Sequence, residues 1–280
     1  MQALSMLIDS HCHINSDELW RSADALVARA AEAGVGRMLL VGCDLRNSVD
    51  AVEMAHRFAL YGTYASVGIH PHEAQHYVDG LPQDLADLAA DVRVVALGEM
   101  GLDYYYDHSP RDVQRDVFEM QLEWAERADK PVVLHIRDAM PDALAILRKR
   151  ARLRLLFHCY SGGLDFLDEV LDLGAWCAIG GAVTWKRNDE LRQVAARIPD
   201  DRLLLETDCP WMAPIPFRGK LNEPAYVRYV YDTVARVRGV SPERLAGQVV
   251  RSAALFFGAP FLGGEAGHEA GCRSGCESYV

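Results

Sequence analysis

No run in this sequence approaches the roughly 18 consecutive apolar residues of a membrane-crossing helix. The first residues, MQALSMLIDS, lack the basic start and long apolar stretch of a secretory signal, so a cytoplasmic protein is expected. Positive charge is scarce: 29 Lys and Arg face 40 Asp and Glu, a formal net charge of −11. That balance excludes a broad nucleic-acid-coating surface, but not a local electropositive site built around bound cations. No strand-like run opens into G-x-G-x-x-G, which leaves dinucleotide binding without support. The seven cysteines are odd in number and scattered. Cys12, Cys43, Cys159, Cys177 and Cys209 adjoin apolar runs, which points to reduced, buried thiols in place of a disulfide framework.

Half of the 280 residues are hydrophobic, enough for one large core. Eight apolar runs of strand length alternate with amphipathic segments of helix length. The runs lie at Met6–Ser10, Gly36–Gly42, Thr63–Ile69, Arg93–Glu99, Pro131–His135, Leu153–His158, Ala175–Gly181 and Arg202–Thr207. Helical patterning covers Asp17–Ala33, Ser48–Leu60, Arg111–Asp129 and Glu223–Arg238, with a short helix after Ser241 packed beneath the sheet. Strands that are apolar at nearly every position suit a parallel sheet covered on both faces. Eight strand–helix units predict an α/β fold, a (β/α)8 TIM barrel with a C-terminal helix. One domain is expected over 1–260 and a flexible glycine-rich tail over 261–280.

Barrel chemistry belongs at the C-terminal ends of the strands. The first run leads into His11 and His13, and the i, i+2 spacing turns both imidazoles to one side. The fourth run ends in Glu99, the fifth in His135 and the sixth in His158, and the eighth is followed by Asp208. Any one of these has an ordinary structural explanation. Together they put six metal-competent groups at one rim. Six ligands exceed one tetrahedral ion and suit two divalent ions. His11, His13 and Asp208 would hold one and His135 and His158 the other, with Glu99 bridging. Imidazole mixed with carboxylate suits zinc, manganese or iron and allows magnesium.

Two divalent ions outweigh two carboxylates and a bridging hydroxide, so the pocket would attract an anion despite the acidic exterior. A phosphoryl group fits best, because paired metals hold both the attacking and the leaving oxygen. Asp208 is the candidate for proton handling, with Glu99 at its side. Asp9 shares strand parity with the first two histidines and Glu206 with Asp208; both are expected to orient ligands. His70 lies past the third strand at the same rim. Arg137 follows His135 by two and suits phosphate binding. Tyr104–Tyr106 and Trp211 have the chemistry to stack on bases or simply to pack.

These residues, in this order, resemble the TatD-type metal-dependent hydrolases, a deoxyribonuclease-like branch of the amidohydrolase barrels. The matching stretches are DSHCH (Asp9–His13), GIHPH (Gly68–His72), GEMGLDYYYD (Gly98–Asp107), PVVLHIRDA (Pro131–Ala139), FHCYSG (Phe157–Gly162), ETDCPWMAP (Glu206–Pro214) and RGKLNEPAYV (Arg218–Val227). The resemblance implies two divalent ions on the same six ligands and hydrolysis of DNA phosphodiesters. The expected function is therefore a metal-dependent 3′–5′ exodeoxyribonuclease acting on single-stranded DNA by attack of a metal-bridging hydroxide. The alternative is an ester or amide hydrolase using the same centre, such as a D-aminoacyl-tRNA deacylase or lactonase. The expected partner is nucleic acid as substrate, with no membrane, and the expected state is a monomer.

Overall fold

The computed structural model describes residues 6–262. Eight strands form one sheet: β1 (Leu7–Cys12), β2 (Val35–Val41), β3 (Thr63–Val67), β4 (Val94–Asp103), β5 (Val132–Arg137), β6 (Leu155–Phe157), β7 (Trp176–Ile179) and β8 (Leu203–Leu205). Between and after them lie α1 (Ala23–Glu32), α2 (Leu45–Arg57), α3 (Gln83–Ala89), α4 (Arg111–Ala128), α5 (Met140–Leu147), α6 (Leu167–Asp172), α7 (Asp189–Arg197), α8 (Val227–Arg238) and α9 (Pro242–Phe257). Every strand pairs in parallel with the next in sequence. The ring closes just past the strand ends. Asp208 N–H donates to the His11 carbonyl at 2.9 Å, and His13 N–H to the Cys209 carbonyl at 2.8 Å. The fold is a nearly closed (β/α)8 barrel, as the alternation of runs predicts.

All six residues of β1 and all ten of β4 are buried, as strands sandwiched between barrel interior and helices must be. Two strands run further than their apolar patterns. β1 continues through His11 to Cys12, and β4 passes Glu99 to reach Asp103. Polar residues end an apolar pattern but not a strand, because ladder hydrogen bonds and side chains aimed at the barrel mouth keep the backbone extended. Gly101 allows the extra length: with φ +147°, a Cβ there would meet the His135 carbonyl at 2.1 Å.

Several helix limits moved for local reasons. α2 starts at Leu45, three residues before the expected Ser48, because the Asp44 carboxylate caps Asn47 N–H at 2.7 Å. The segment before α1 is a turn and a 3-10 helix, Trp20–Ser22, that tucks Leu19 into the core. α8 is preceded by a similar turn at Pro224–Tyr226 and ends at Gly239 in the left-handed region. α9 is a full 16 residues, capped by Ser241. It buries Leu245, Val249, Ala253, Phe256 and Phe257 and closes the end of the barrel opposite the site. Arg154, ahead of β6, holds the Phe256 carbonyl, and Arg37, early in β2, holds that of Pro260.

The five described cysteines are free. No helix among the described residues is long and apolar enough to cross a membrane. Phe261 is buried against Tyr64 and Phe257. The rest of the expected tail, from residue 263, lies outside the described residues.

Tyr231 on α8 ties the helical layer to β1. Its buried hydroxyl accepts from Ile8 N–H at 3.1 Å and donates to the Ile8 carbonyl at 3.2 Å. Tyr231→Phe leaves both backbone groups unpaired and should cost about 1–3 kcal/mol, read as a lower denaturant midpoint with unchanged m-value.

Candidate metal centre

The barrel brings all six expected ligands to one place at the C-terminal ends of the strands. His11 Nε2 and His13 Nε2 lie 2.9 Å apart. Glu99 Oε1 is 3.8 Å from the first and 3.4 Å from the second, and Asp208 Oδ1 is 3.7 Å and 3.5 Å from them. The other oxygen of Glu99 faces the other pair: Oε2 is 3.4 Å from His135 Nδ1 and 3.0 Å from His158 Nε2, which are 3.2 Å from each other. One carboxylate therefore turns one oxygen to each pair of imidazoles. Around an ion with ligands at about 2.0–2.1 Å, tetrahedral neighbours sit roughly 3.3–3.4 Å apart, so these separations suit metal coordination. Glu99 Oε2 is buried and faces only the His135 and His158 nitrogens, so its charge must be met either by protons on those rings or by a cation between them. The two pockets also share an edge. The His11 and His158 rings stack at 3.8 Å, and both offer a nitrogen within 4.8 Å of Asp208.

Partners behind the ligands decide which nitrogen carries a proton. Asp103 accepts from His135 Nε2–H at 3.0 Å, which turns the Nδ1 lone pair toward Glu99. The same Asp103 oxygen accepts from His72, while its other oxygen holds the amides of Tyr105 and Tyr106. Glu206 Oε1 accepts from Cys159 N–H at 2.6 Å and lies 3.5 Å from His158 Nδ1. Cys43 Sγ sits 3.7 Å from His13 Nδ1 and donates to Glu99 Oε1 at 3.4 Å. Burial first, then Glu99, push the Cys43 thiol up, so it stays protonated and serves as that donor. Asp9 reaches no imidazole. Its carboxylate accepts from Thr207 N–H and Oγ1–H at 2.8 and 2.6 Å and from His11 N–H at 3.4 Å, fixing β1 against the loop that carries Asp208.

Without metal, protons supply the missing positive charge. Burial opposes charge on His158, but Glu99 and Glu206 outweigh it and raise its pKa well above the usual value. His135 is raised in the same way, burial being overcome by Asp103 and Glu99. Glu99 is held well below the carboxylate range, since His158, His11 and His70 overcome its burial. Burial, then His158, hold His11 neutral, and burial, then His135, do the same for His70.

His70 is buried beside this cluster, and its Nδ1 accepts from His72 N–H at 3.1 Å. The other nitrogen is then the protonated one. Arg137 pairs with neither Glu206 nor Asp103. Its guanidinium lies over the rings of Tyr105 and Tyr106, 4.1 and 4.8 Å from their centroids, and both tyrosines are exposed. Trp211, also exposed, has its ring 5.2 Å from that of His13. The sequence pattern marks no ligand-orienting role for Asp103 and marks Cys43 only as a reduced, buried thiol. Parity with Glu99 on β4 would have found Asp103, whereas nothing local brings Cys43 to the centre.

An eight-stranded barrel with imidazoles and carboxylates gathered at its catalytic rim defines a metal-dependent hydrolase. The family described as TatD-related DNase matches residues 8–258, and the chain belongs to it. It is 37% identical over 257 residues to the "Uncharacterized metal-dependent hydrolase YabD" of Bacillus subtilis, covering 90% of this chain and 99% of that protein. It is 35% identical over 259 residues to the "3′-5′ ssDNA/RNA exonuclease TatD" of Klebsiella pneumoniae, covering 90% and 98%. The crystal structure of YjjV, a TatD homolog from Escherichia coli K12, superposes with a TM-score of 0.83 at 28% identity, covering 92% of this chain and all of that one.

Two outcomes follow from the donor set. Asp103→Asn should weaken metal binding about 10–100-fold by releasing His135, as measured by equilibrium dialysis, with secondary structure unchanged. His135 and His158 hold protons above the usual histidine range in the metal-free protein and would have to lose them to ligate a metal. Metal affinity should therefore rise with pH through and above neutrality, and titration calorimetry in buffers of different ionisation enthalpy should detect proton release on binding.

Proposed function

We propose that this chain is a metal-dependent phosphodiesterase that removes nucleotides from the 3′ end of single-stranded nucleic acid, DNA first. His11, His13 and Asp208 would hold one divalent ion and His135 and His158 a second, with Glu99 offering an oxygen to each group. The observation that carries this reading is the division of Glu99, one oxygen toward each imidazole pair. Zinc, manganese, iron and magnesium all suit this mixture of nitrogen and oxygen ligands. When bound, the ions would supply Lewis acidity toward the phosphoryl oxygens and lower the pKa of bound water.

The chain's own groups do the rest. Asp208 is the more open of the two carboxylates, with 13% of its side chain exposed against 4% for Glu99, so it faces the substrate and takes the proton of the attacking water. His70 stays neutral and presents an N–H at the edge of the centre, suited to a phosphate oxygen. Asp9 and Glu206 hold the ligands in place. Arg137, backed by two tyrosine rings, keeps its donors free for the substrate's negative charge. Two divalent ions outweigh Glu99 and Asp208, giving an anion-attracting pocket in a protein of net charge −11. The exposed rings of Tyr105, Tyr106 and Trp211 offer stacking surfaces that a single strand can use, at about 1–3 kcal/mol per base. Such an enzyme works as a monomer in the cytosol, where thiols stay reduced.

The test is a panel. Metal-loaded protein is given a single-stranded oligonucleotide labelled at its 5′ end, an aminoacyl ester and a chelator control. A ladder shortening from the 3′ end is the expected result; ester cleavage alone overturns the assignment. Asp208→Asn should reduce turnover by about 10²–10⁴-fold while the protein still melts cooperatively, and undiminished activity would show that another group takes the proton.

A further inference from the structure

We propose that a cleft beside the metal centre holds the body of the nucleic-acid strand while its end is being cut. This rests on the nuclease reading and adds a binding site to it. The cleft has a volume of about 710 Å³ and is lined by Trp185, Lys186, Arg187, Asn188, Ile215 and Arg218. Its walls are two loops of the catalytic rim, one following β7 and the other running from Asp208 toward α8.

The loops are laced together, so the cleft exists before any ligand arrives. Trp185 Nε1–H donates to the Ala213 carbonyl at 3.1 Å, and Ile215 N–H donates to Thr184 Oγ1 at 2.8 Å. Asn222 pins the base of the second loop through the carbonyls of Thr207 and Trp211, at 2.8 and 2.7 Å. Gly181 lets the walls approach closely, since a Cβ there would meet the Met212 carbonyl at 2.0 Å.

Charge identifies the occupant. Among the described residues, Lys186, Arg187 and Arg218 have no carboxylate within 4.0 Å, and all three are exposed. Arg192, behind them, shows the contrast. It is tied to the carbonyls of Val183 and Trp185 and to the Asp189 carboxylate, and so belongs to the wall. Three free cations together in a chain of net charge −11 call for a ligand with several negative charges. The Arg218 guanidinium lies 4.3 Å over the Trp185 ring, a flat cationic surface that suits bases as well as phosphates.

Position identifies the path. The loop that begins at Asp208 carries Trp211 three residues on, beside His13, and reaches Ile215 and Arg218 in the cleft. A strand leaving the centre over the exposed Trp211 ring follows that loop into the cleft. A duplex would hide the base faces that these rings use.

The test compares the metal-loaded enzyme with a Lys186→Gln, Arg187→Gln, Arg218→Gln triple variant on two substrates. One is a single-stranded DNA of about 20 nucleotides and the other the p-nitrophenyl diester of thymidine monophosphate, too small to reach the cleft. Binding of the same DNA, fluorescently labelled, is followed in chelator by anisotropy. Loss of three phosphate contacts should weaken binding at least about tenfold and flatten the log–log salt dependence by about 2, at roughly 0.7 per contact. KM for the DNA should rise by a similar factor, with kcat/KM for the small diester unchanged. Equal binding and equal salt dependence, with the small diester still cleaved, overturn the cleft and leave the nuclease reading standing. Parallel losses on both substrates also overturn it, by placing the effect at the metal centre. Failure of the wild type to cleave either substrate overturns the nuclease reading, whereas weakened DNA binding by the variant still supports the cleft.

Discussion

Six donor groups are packed into a buried space in which most of their oxygens and nitrogens stand 2.9–3.8 Å apart. Lone pairs at such distances repel, and Glu99 is almost wholly removed from water. Positive charge must sit among them. In the metal-free protein, protons on His135 and His158 provide some of it, and divalent ions would provide more. Most of what surrounds the centre follows from the need to hold these atoms still until a cation arrives.

The barrel meets that need by dividing the labour. His11, Glu99 and His135 project from strands β1, β4 and β5, and His13, His158 and Asp208 follow within three residues of the ends of β1, β6 and β8, so each candidate ligand is anchored on or next to the sheet. A second layer then sets ring orientation. Asp103 fixes His135, Cys159 N–H and His158 share Glu206, and Cys43 lies between His13 and Glu99. His13 and His158 lie one residue past β1 and β6, and Asp208 sits furthest out, three residues past β8, at φ +56°, with its amide bonded to the His11 carbonyl. Because Asp208 belongs to both the centre and the following loop, the candidate centre is joined directly to the surface on which Trp211, Ile215 and Arg218 lie.

Much of this was legible in the sequence. Eight apolar runs, each followed by an amphipathic segment, report a period that the backbone must obey, and barrel geometry then assigns polar residues after each run to one rim. His11 and His13 could be read as neighbours because i, i+2 spacing is a local property of a strand. The limits of β1 and β4 were less legible, since each strand continues where its side chains turn polar. Asp103 was undervalued for the same reason: it lies on β4 with Glu99's parity, in a stretch whose composition resembles a loop. The start of α2 was displaced by a cap, Asp44, that hydropathy does not register.

By itself the sequence determined the strand count and which six donor side chains gather at one rim, because those depend on periodicity and residue type. Only the tertiary structure decided how Glu99 divides its oxygens, that Asp9 bonds Thr207 and no imidazole, that Cys43 approaches the centre, and that Arg137 lies on two tyrosines. The same holds for the cleft between Trp185 and Arg218, whose walls come from two separate loops, one after β7 and one after β8. These are relations between distant segments, set by barrel closure and side-chain packing, and no local pattern carries them.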